Sequence, residues 1–328
     1  MHSIGIVGAG DIVRKVHLPV LQNLTGVRIA WLYDRDAARC RAVAEAYQVP
    51  WTAANVPDEL PECDVVLLAV PVPVRESYLR CFARRGTAVL CEKPFALSAA
   101  EHSRYLDWFP AHRLGCGYMR RYYQSTRIIA HLLERNWLGP LRSIHIGEGG
   151  RSRGSGGGQS FLDDPAFAAA GGVLMDLGTH TLDLALLFAR SEIFAVEQCE
   201  LTLDGIVDRH VKARARLSQT RLELDYAVSW LDPQPNRIEL RFGDVSVWSG
   251  VGPDARVFMG DDVLSPDAIE LRLPVGGATT VNQAFALEWR DFLDGVAGGQ
   301  ESRVSARAAL ATTALAEQMR TSALAAHA

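Results

Sequence analysis

The first 120 residues repeat one rhythm, a short apolar run, a turn and then a helix-length segment, and few folds accommodate it. The apolar runs lie at residues 4–7, 27–33, 64–70, 87–91 and 114–118. Helical patterns separate them, through Leu18, Val20 and Leu21, over residues 37–47, and from about Val74 to Arg85. Strands that are apolar on both faces and joined by helices belong to a parallel sheet with right-handed crossovers. The spacing therefore predicts an α/β domain over residues 1–119.

The fourth run changes character abruptly. Thr87-Ala88-Val89-Leu90-Cys91 reads as a doubly buried strand, and Glu92-Lys93-Pro94 follows at once. Pro94 removes a backbone donor and ends the ladder, which puts Lys93 at the strand's carboxyl end. Ligands of open parallel sheets bind at that edge. Taken alone, Glu92 and Lys93 read equally well as a surface ion pair before a turn.

The first run leads into Gly8-Ala9-Gly10-Asp11-Ile12-Val13. A strand, a glycine turn and a helix start let backbone amides approach a pyrophosphate. Val13 occupies the place of the usual third glycine, which lets helix and strand pack closely, so the motif is incomplete and does not by itself define a dinucleotide site. The second run ends at Asp34, 34 − 10 = 24 residues beyond Gly10. A carboxylate about 20 residues on binds the adenosine ribose and repels a 2′-phosphate, favouring NAD. Arg35 next door leaves NADP open. As a turn residue before the next helix, Asp34 would carry no such meaning.

Beyond about residue 120 and a helix over residues 124–136, the rhythm turns to two-residue alternation, as in Ser143-Ile144-His145-Ile146 and Leu222-Glu223-Leu224-Asp225-Tyr226. Alternation buries one face only, as antiparallel strands do. Glycine turns at Gly205, Gly243 and Gly250 link these strands, and helices return at about residues 281–296 and 305–326. The expected architecture is an α/β Rossmann domain with a parallel sheet, followed over residues 120–328 by an α+β domain with a large, open, mostly antiparallel sheet. The exposed face of that sheet is expected to join subunits into a dimer or tetramer, because a broad half-apolar face invites association.

Within this half, residues 171–183 read Gly-Gly-Val-Leu-Met-Asp-Leu-Gly-Thr-His-Thr-Leu-Asp. On a helix, Asp176, His180 and Asp183 fall within about 60° of one another. Burying such groups without partners costs about 1–3 kcal/mol each, so they are expected to face a polar cavity. An Asp and a His four residues apart can also share a metal ion, yet no second His or Cys cluster accompanies them, and no metal is expected. A structural network is the other alternative. An acid/base pair is the favoured reading.

Composition narrows the partners. A net charge of −4 without a basic stripe gives no footprint for nucleic acid. The longest apolar run, near residues 182–189, contains Asp183 and is too short for a bilayer. Met1 leads directly into the first strand, so no signal peptide is expected. Six scattered cysteines without a Cys-x-x-Cys pair fit thiols in a cytoplasm.

Together, Gly8-Ala9-Gly10-Asp11, Cys91-Glu92-Lys93-Pro94, Gly117-Tyr118-Met119-Arg120-Arg121-Tyr122 and Gly171-Gly172…Asp176-x-Gly178-x-His180-x-x-Asp183 resemble the Gfo/Idh/MocA oxidoreductase family. The resemblance implies a nicotinamide-dependent enzyme acting on a hydroxyl or ketone of a sugar, sugar phosphate, nucleotide sugar or cyclitol. It implies catalytic roles for Lys93, Asp176 and His180, and places Arg120 and Arg121 near the substrate. The expected cofactor contacts are Gly8, Gly10, Asp11, Ile12, Asp34, Arg35, Ala69, Val70, Pro71, Glu92 and Lys93. Arg151 and Arg153, set among glycines, are further candidates for an anionic substrate. Relatives of the family also include non-catalytic dinucleotide-binding regulators and NAD-dependent glycosidases. The joint presence of Lys93, Asp176 and His180 speaks against the regulator.

Overall fold

The computed structural model describes residues 1–150, 171–190, 194–217, 220–264 and 277–327. Arg151 and Arg153 lie outside these residues. The chain divides into two compact units, Met1–Met119 with Val281–Leu310, and Arg120–Thr280 with Ala311–Ala328.

The first unit holds a five-stranded parallel sheet, ordered β2-β1-β3-β4-β5. Its strands are β1 (His2–Val7), β2 (Val27–Tyr33), β3 (Val65–Leu68), β4 (Ala88–Cys91) and β5 (Leu114–Cys116). All four residues of β3 and of β4 are buried, as runs covered on both faces must be. Helices α1 (Leu18–Gln22), α2 (Ala37–Tyr47), α3 (Arg75–Arg85) and α4 (Ala99–Leu106) alternate with the strands. The strand order reverses between β1 and β3, which makes their carboxyl ends the expected ligand crevice.

A division of the chain at residue 119 misses one feature of this unit, the return of Val281–Leu310 to it. Phe285, Trp289 and Phe292 are buried there, and the Phe285 ring meets the His17 ring edge-on at 4.9 Å. Val304 accepts a backbone hydrogen bond from Cys116 at 2.8 Å and so covers the otherwise open edge of β5. Chain order alone cannot announce such a return.

His102 on α4 is fully buried, with one ring nitrogen 2.8 Å from the Ala306 carbonyl. A carbonyl only accepts, so Nε2 carries the proton. Burial pushes this imidazole down from 6.5 to about 4, against the opposing effect of that hydrogen bond. Between these values the unfolded chain binds the proton and the folded one does not, so stability rises with pH. The contribution is complete above pH 6.5 and is lost as pH falls towards about 4. Its size is roughly 3 kcal/mol. Denaturation midpoints measured across that range should fall steeply in the wild type and more gently in His102→Gln, whose amide still donates to Ala306; parallel curves would refute the assignment.

The second unit is built on an eight-stranded sheet, ordered β13-β12-β11-β10-β6-β9-β8-β7. It comprises β6 (Ser143–Gly149), β7 (Ala195–Asp204), β8 (Val207–Leu217), β9 (Leu222–Ser229), β10 (Arg237–Phe242), β11 (Val245–Gly250), β12 (Val257–Met259) and β13 (Asp262–Leu264). All neighbours are antiparallel except β6 and β9. Ile144, Ile146, Val211, Ala213, Leu224 and Tyr226 are buried on one face, which α5 (Gln124–Arg135) and α6 (Thr179–Ala189) help to cover. The other face is more charged than a half-apolar sheet would be. Cross-strand pairs Arg214–Asp225 at 3.0 Å and Arg216–Glu223 at 3.1 Å occupy it. Helix α7 is Val281–Gly298, and α8 is Ala306–His327.

Candidate active site

The predicted site residues fall on both units. In the first, the chain leaves β1 at Gly8 with φ of 107°, and a Cβ built there would run into the Ala69 carbonyl oxygen at the end of β3. Only glycine tolerates both demands. A Cβ built on Gly10 would meet no described atom within 4 Å, so among the described residues the turn faces open space there. Asp34 holds this turn from β2, accepting from Ala9 N–H at 2.7 Å through Oδ2 and from Asp36 N–H at 2.9 Å through Oδ1. A carboxylate accepts about four hydrogen bonds, so Asp34 keeps acceptor capacity for ribose hydroxyls. These residues fit a dinucleotide.

The remaining cofactor candidates are more varied. Ala69 directly follows β3 and donates its N–H to the Val7 carbonyl at 2.9 Å; Val70 comes next, half-buried, and Pro71 is exposed. Ile12 and Arg35 are exposed. Asp11 is exposed and ion-paired with Lys15 and Arg14, each at 2.7 Å. The Lys15 hydrogen bond, with help from Arg14, holds its carboxyl below the usual range.

At the end of β4, Glu92 is buried and accepts from the Lys93 N–H at 3.1 Å. Burial pushes the Glu92 carboxyl up, but the His17 hydrogen bond and the charges of Lys93 and Arg75 outweigh it and leave the carboxyl lowered. His17 lies 2.8 Å away, reached through a wide π turn at Val13–His17. This turn replaces the regular helix start, and it is where fully buried Val13 takes the place of a third glycine. Arg75, also buried, donates to the carbonyls of Val70 at 2.8 Å, Phe95 at 3.2 Å and Pro94. One guanidinium thus ties the loop after β3 to the loop after β4. Neither His17 nor Arg75 was legible in the sequence, because their partners lie far along the chain.

In the second unit, a buried carboxylate starts the helix that bears Asp176 and His180. Asp208 on β8 accepts from Gly172 N–H and Leu174 N–H, both at 2.8 Å, and so caps amides no helical carbonyl reaches. A Cβ on Gly172 would collide with the Asp208 backbone, which explains the glycine. The first turn, Leu174–Gly178, is again π-type, so Asp176 and His180 are not related by regular helical spacing. Thr179 Oγ1 donates to the Met175 carbonyl at 3.1 Å and Thr181 Oγ1 to that of Gly178 at 3.0 Å. Since the Thr181 proton is spent on Gly178, the Tyr226 hydroxyl donates to Thr181 at 3.1 Å. Burial raises the Tyr226 phenol far above its ordinary value, and it stays protonated.

Both arginines expected near the substrate make two-pronged ion pairs. Arg120 donates to Glu148 at 2.7 and 2.9 Å. Arg121 donates to Asp183 at 2.8 and 2.6 Å, and Thr312 adds a bond to Asp183 at 3.4 Å. Asp183, only 1% exposed, is therefore a structural partner rather than a third member of a polar stripe facing a cavity. Asp176 and His180, each 8% exposed, remain on the turn and the helix start, and the Asp176 charge acts on Arg120. Glu148 was missed although alternation marks it: Ile144, Ile146 and Glu148 share one face of β6, and an acid on an apolar face needs a partner. No metal-binding cluster of His, Cys, Asp or Glu occurs among the described residues.

A glycine turn, an acid just after β2 and a lysine after β4 on a doubly wound sheet define a dinucleotide-binding α/β domain. Residues 2–118 match the model of the Gfo/Idh/MocA oxidoreductase family, described as an NAD-binding Rossmann fold. The match covers the first domain and agrees with the resemblance carried by its motifs. Glucose-6-phosphate 3-dehydrogenase of Bacillus subtilis (strain 168) is 26% identical over 58% of this chain and 55% of its own. D-xylose 1-dehydrogenase (NADP(+)) 2 of Haloferax volcanii is 30% identical over 56% of each. The chain spans 55–59% of the length of three such curated relatives. The fold extends further: an aldose-aldose oxidoreductase from Caulobacter crescentus, solved with glycerol, superposes with a TM-score of 0.82 over 99% of this chain and 98% of its own, at 19% identity. That likeness covers both sheets, the parallel one and the mostly antiparallel one.

Proposed function

We propose that this protein is a nicotinamide-dependent oxidoreductase interconverting a hydroxyl and a ketone on a sugar, sugar phosphate, nucleotide sugar or cyclitol. The observation that carries the reading is Lys93, set immediately after buried Glu92 at the carboxyl edge of the sheet whose glycine turn fits a dinucleotide. Residues Gly8, Gly10 and Asp34 would hold the cofactor, which supplies hydride chemistry when bound. Oxidising an alcohol also requires its proton to leave. In this reading His180 takes that proton, Asp176 orients the imidazole and raises its basicity, and Lys93 Nζ holds the oxygen and stabilises its growing charge. The reverse assignment, with Lys93 as the acid/base, uses the same residues. The relatives' printed names, one for a hexose phosphate and one for a pentose, support the carbohydrate class. NAD(+) and NADP(+) reduction with glucose 6-phosphate, D-xylose and myo-inositol tests it, together with mass spectrometry of the purified protein for retained nucleotide or sugar. Absence of both turnover and retained nucleotide would overturn it.

Asp34 favours NAD(H), because its carboxylate is pinned by two amides toward the turn and repels a 2′-phosphate. Fluorescence titration should show NADH binding more tightly than NADPH. A tenfold preference for NADPH would instead assign the adenosine site to Arg35.

The cytoplasmic reading rests on six free cysteines, and no described helix is long and apolar enough to cross a membrane. Self-association through the outer face of the second sheet is part of the proposal. Trp248 and Phe258 stack there with centroids 4.0 Å apart, and Arg237 lies over the Trp248 ring.

A further inference from the structure

Beneath Lys93 a hydrogen-bonded chain runs through the first unit to a residue almost 200 positions away in sequence. Trp289, fully buried, donates its indole N–H to His17 Nδ1 at 3.0 Å. An indole N–H can only donate, so Nδ1 must present a lone pair and the ring proton must sit on Nε2. Nε2 lies 2.8 Å from Glu92 Oε1, a carboxylate that only accepts. Glu92 Oε2 in turn accepts the Lys93 backbone N–H at 3.1 Å. Every polarity in the chain is set from its Trp289 end. The opposite tautomer would aim two donors at one another and a lone pair at a carboxylate.

We propose that Trp289 and His17 are positioning residues: Trp289 locks the imidazole as its Nε2–H tautomer, and His17 thereby fixes Glu92 and the Lys93 backbone. The role assigned to Lys93 rests on the functional reading above, whereas the lock does not. Three variants separate the lock from mere packing. Trp289→Phe removes the indole donor. His17→Gln places an amide N–H near Glu92 that needs no tautomer lock. The third combines both changes.

Two readouts require no substrate: the ¹⁵N shifts of the His17 ring, and hydrogen exchange of the Lys93 amide. The wild type should show protonated Nε2 and bare Nδ1. Trp289→Phe should mix the tautomers and speed Lys93 amide exchange by on the order of tenfold, since lost side-chain partners loosen local structure. In the His17→Gln background the same Trp289→Phe change should add little, because the residue it acts through no longer has a tautomer to choose. Equal acceleration in both backgrounds, or protonated Nδ1 in the wild type, would overturn the lock. Turnover distinguishes the two readings. If Lys93→Ala abolishes turnover and Trp289→Phe lowers kcat with the KM for the dinucleotide unchanged, both stand. If Lys93→Ala retains full turnover, the functional reading falls, and the shifts and exchange rates still decide the lock.

Discussion

Lys93→Ala and His180→Ala are each expected to lower kcat by at least about two orders of magnitude, the usual contribution of a positioned acid/base or an oxyanion partner. Dinucleotide affinity should change little in either variant, because the turn at Gly8 and Gly10 and the Asp34 carboxylate are the groups that fit the adenosine half. The two losses should differ in pH dependence. Removing the proton acceptor should abolish the pH-rate limb that reports it, whereas removing the oxygen's partner should lower the whole profile. Which variant loses the limb therefore decides between His180 and Lys93 as the acid/base. Steady-state rates across pH, with NADH titrations on the same preparations, make the measurement. Near-wild-type turnover in both variants would refute the site assignment.

Asp183→Ala should produce the largest loss of stability, about 3–5 kcal/mol, because it leaves the Arg121 guanidinium buried without its carboxylate. The pair is bidentate, and the side chains are 1% and 10% exposed, so water can do little to replace the lost partner. Thr312 also loses its acceptor. Replacing both members with apolar residues, as in Arg121→Met/Asp183→Leu, should recover most of the loss, since no charge then remains unpaired. Urea unfolding of the single and double variants tests this. A loss below about 1 kcal/mol in Asp183→Ala would show that the pair behaves like a solvated surface bridge. The same pair bears on function, since Asp183 lies on the helix that carries His180.

Doubly apolar runs alternating with helices leave a chain little choice but a parallel sheet, and two-residue alternation specifies a sheet with one covered face. These periodicities are local, and local patterns can be read from sequence. The glycine turn, Asp34 at its spacing from Gly10, and Lys93 after an apolar strand were legible for the same reason. Glu148 is equally legible, because its place on the face of β6 opposite to that of His145 marks it as an acid on the covered face. The two π turns were not legible. The same side chains satisfy a regular helical pattern, and the groups bonded to the wider turns come from elsewhere in the chain: Glu92 to His17, and Asp208 to the Leu174 amide.

What tertiary structure alone decided is the pairing of polar groups. Arg120 and Arg121 are adjacent and similar in sequence, yet one pairs with Glu148 28 residues on and the other with Asp183 62 residues on. His17 meets a tryptophan 272 residues away. A buried charge or donor must find a complement somewhere, and its own residue type announces that need; which complement it finds depends on how distant strands and helices come together. The sequence by itself therefore determined the kind of fold and the residues available for chemistry, and the folded chain determined which of them are occupied in holding it together.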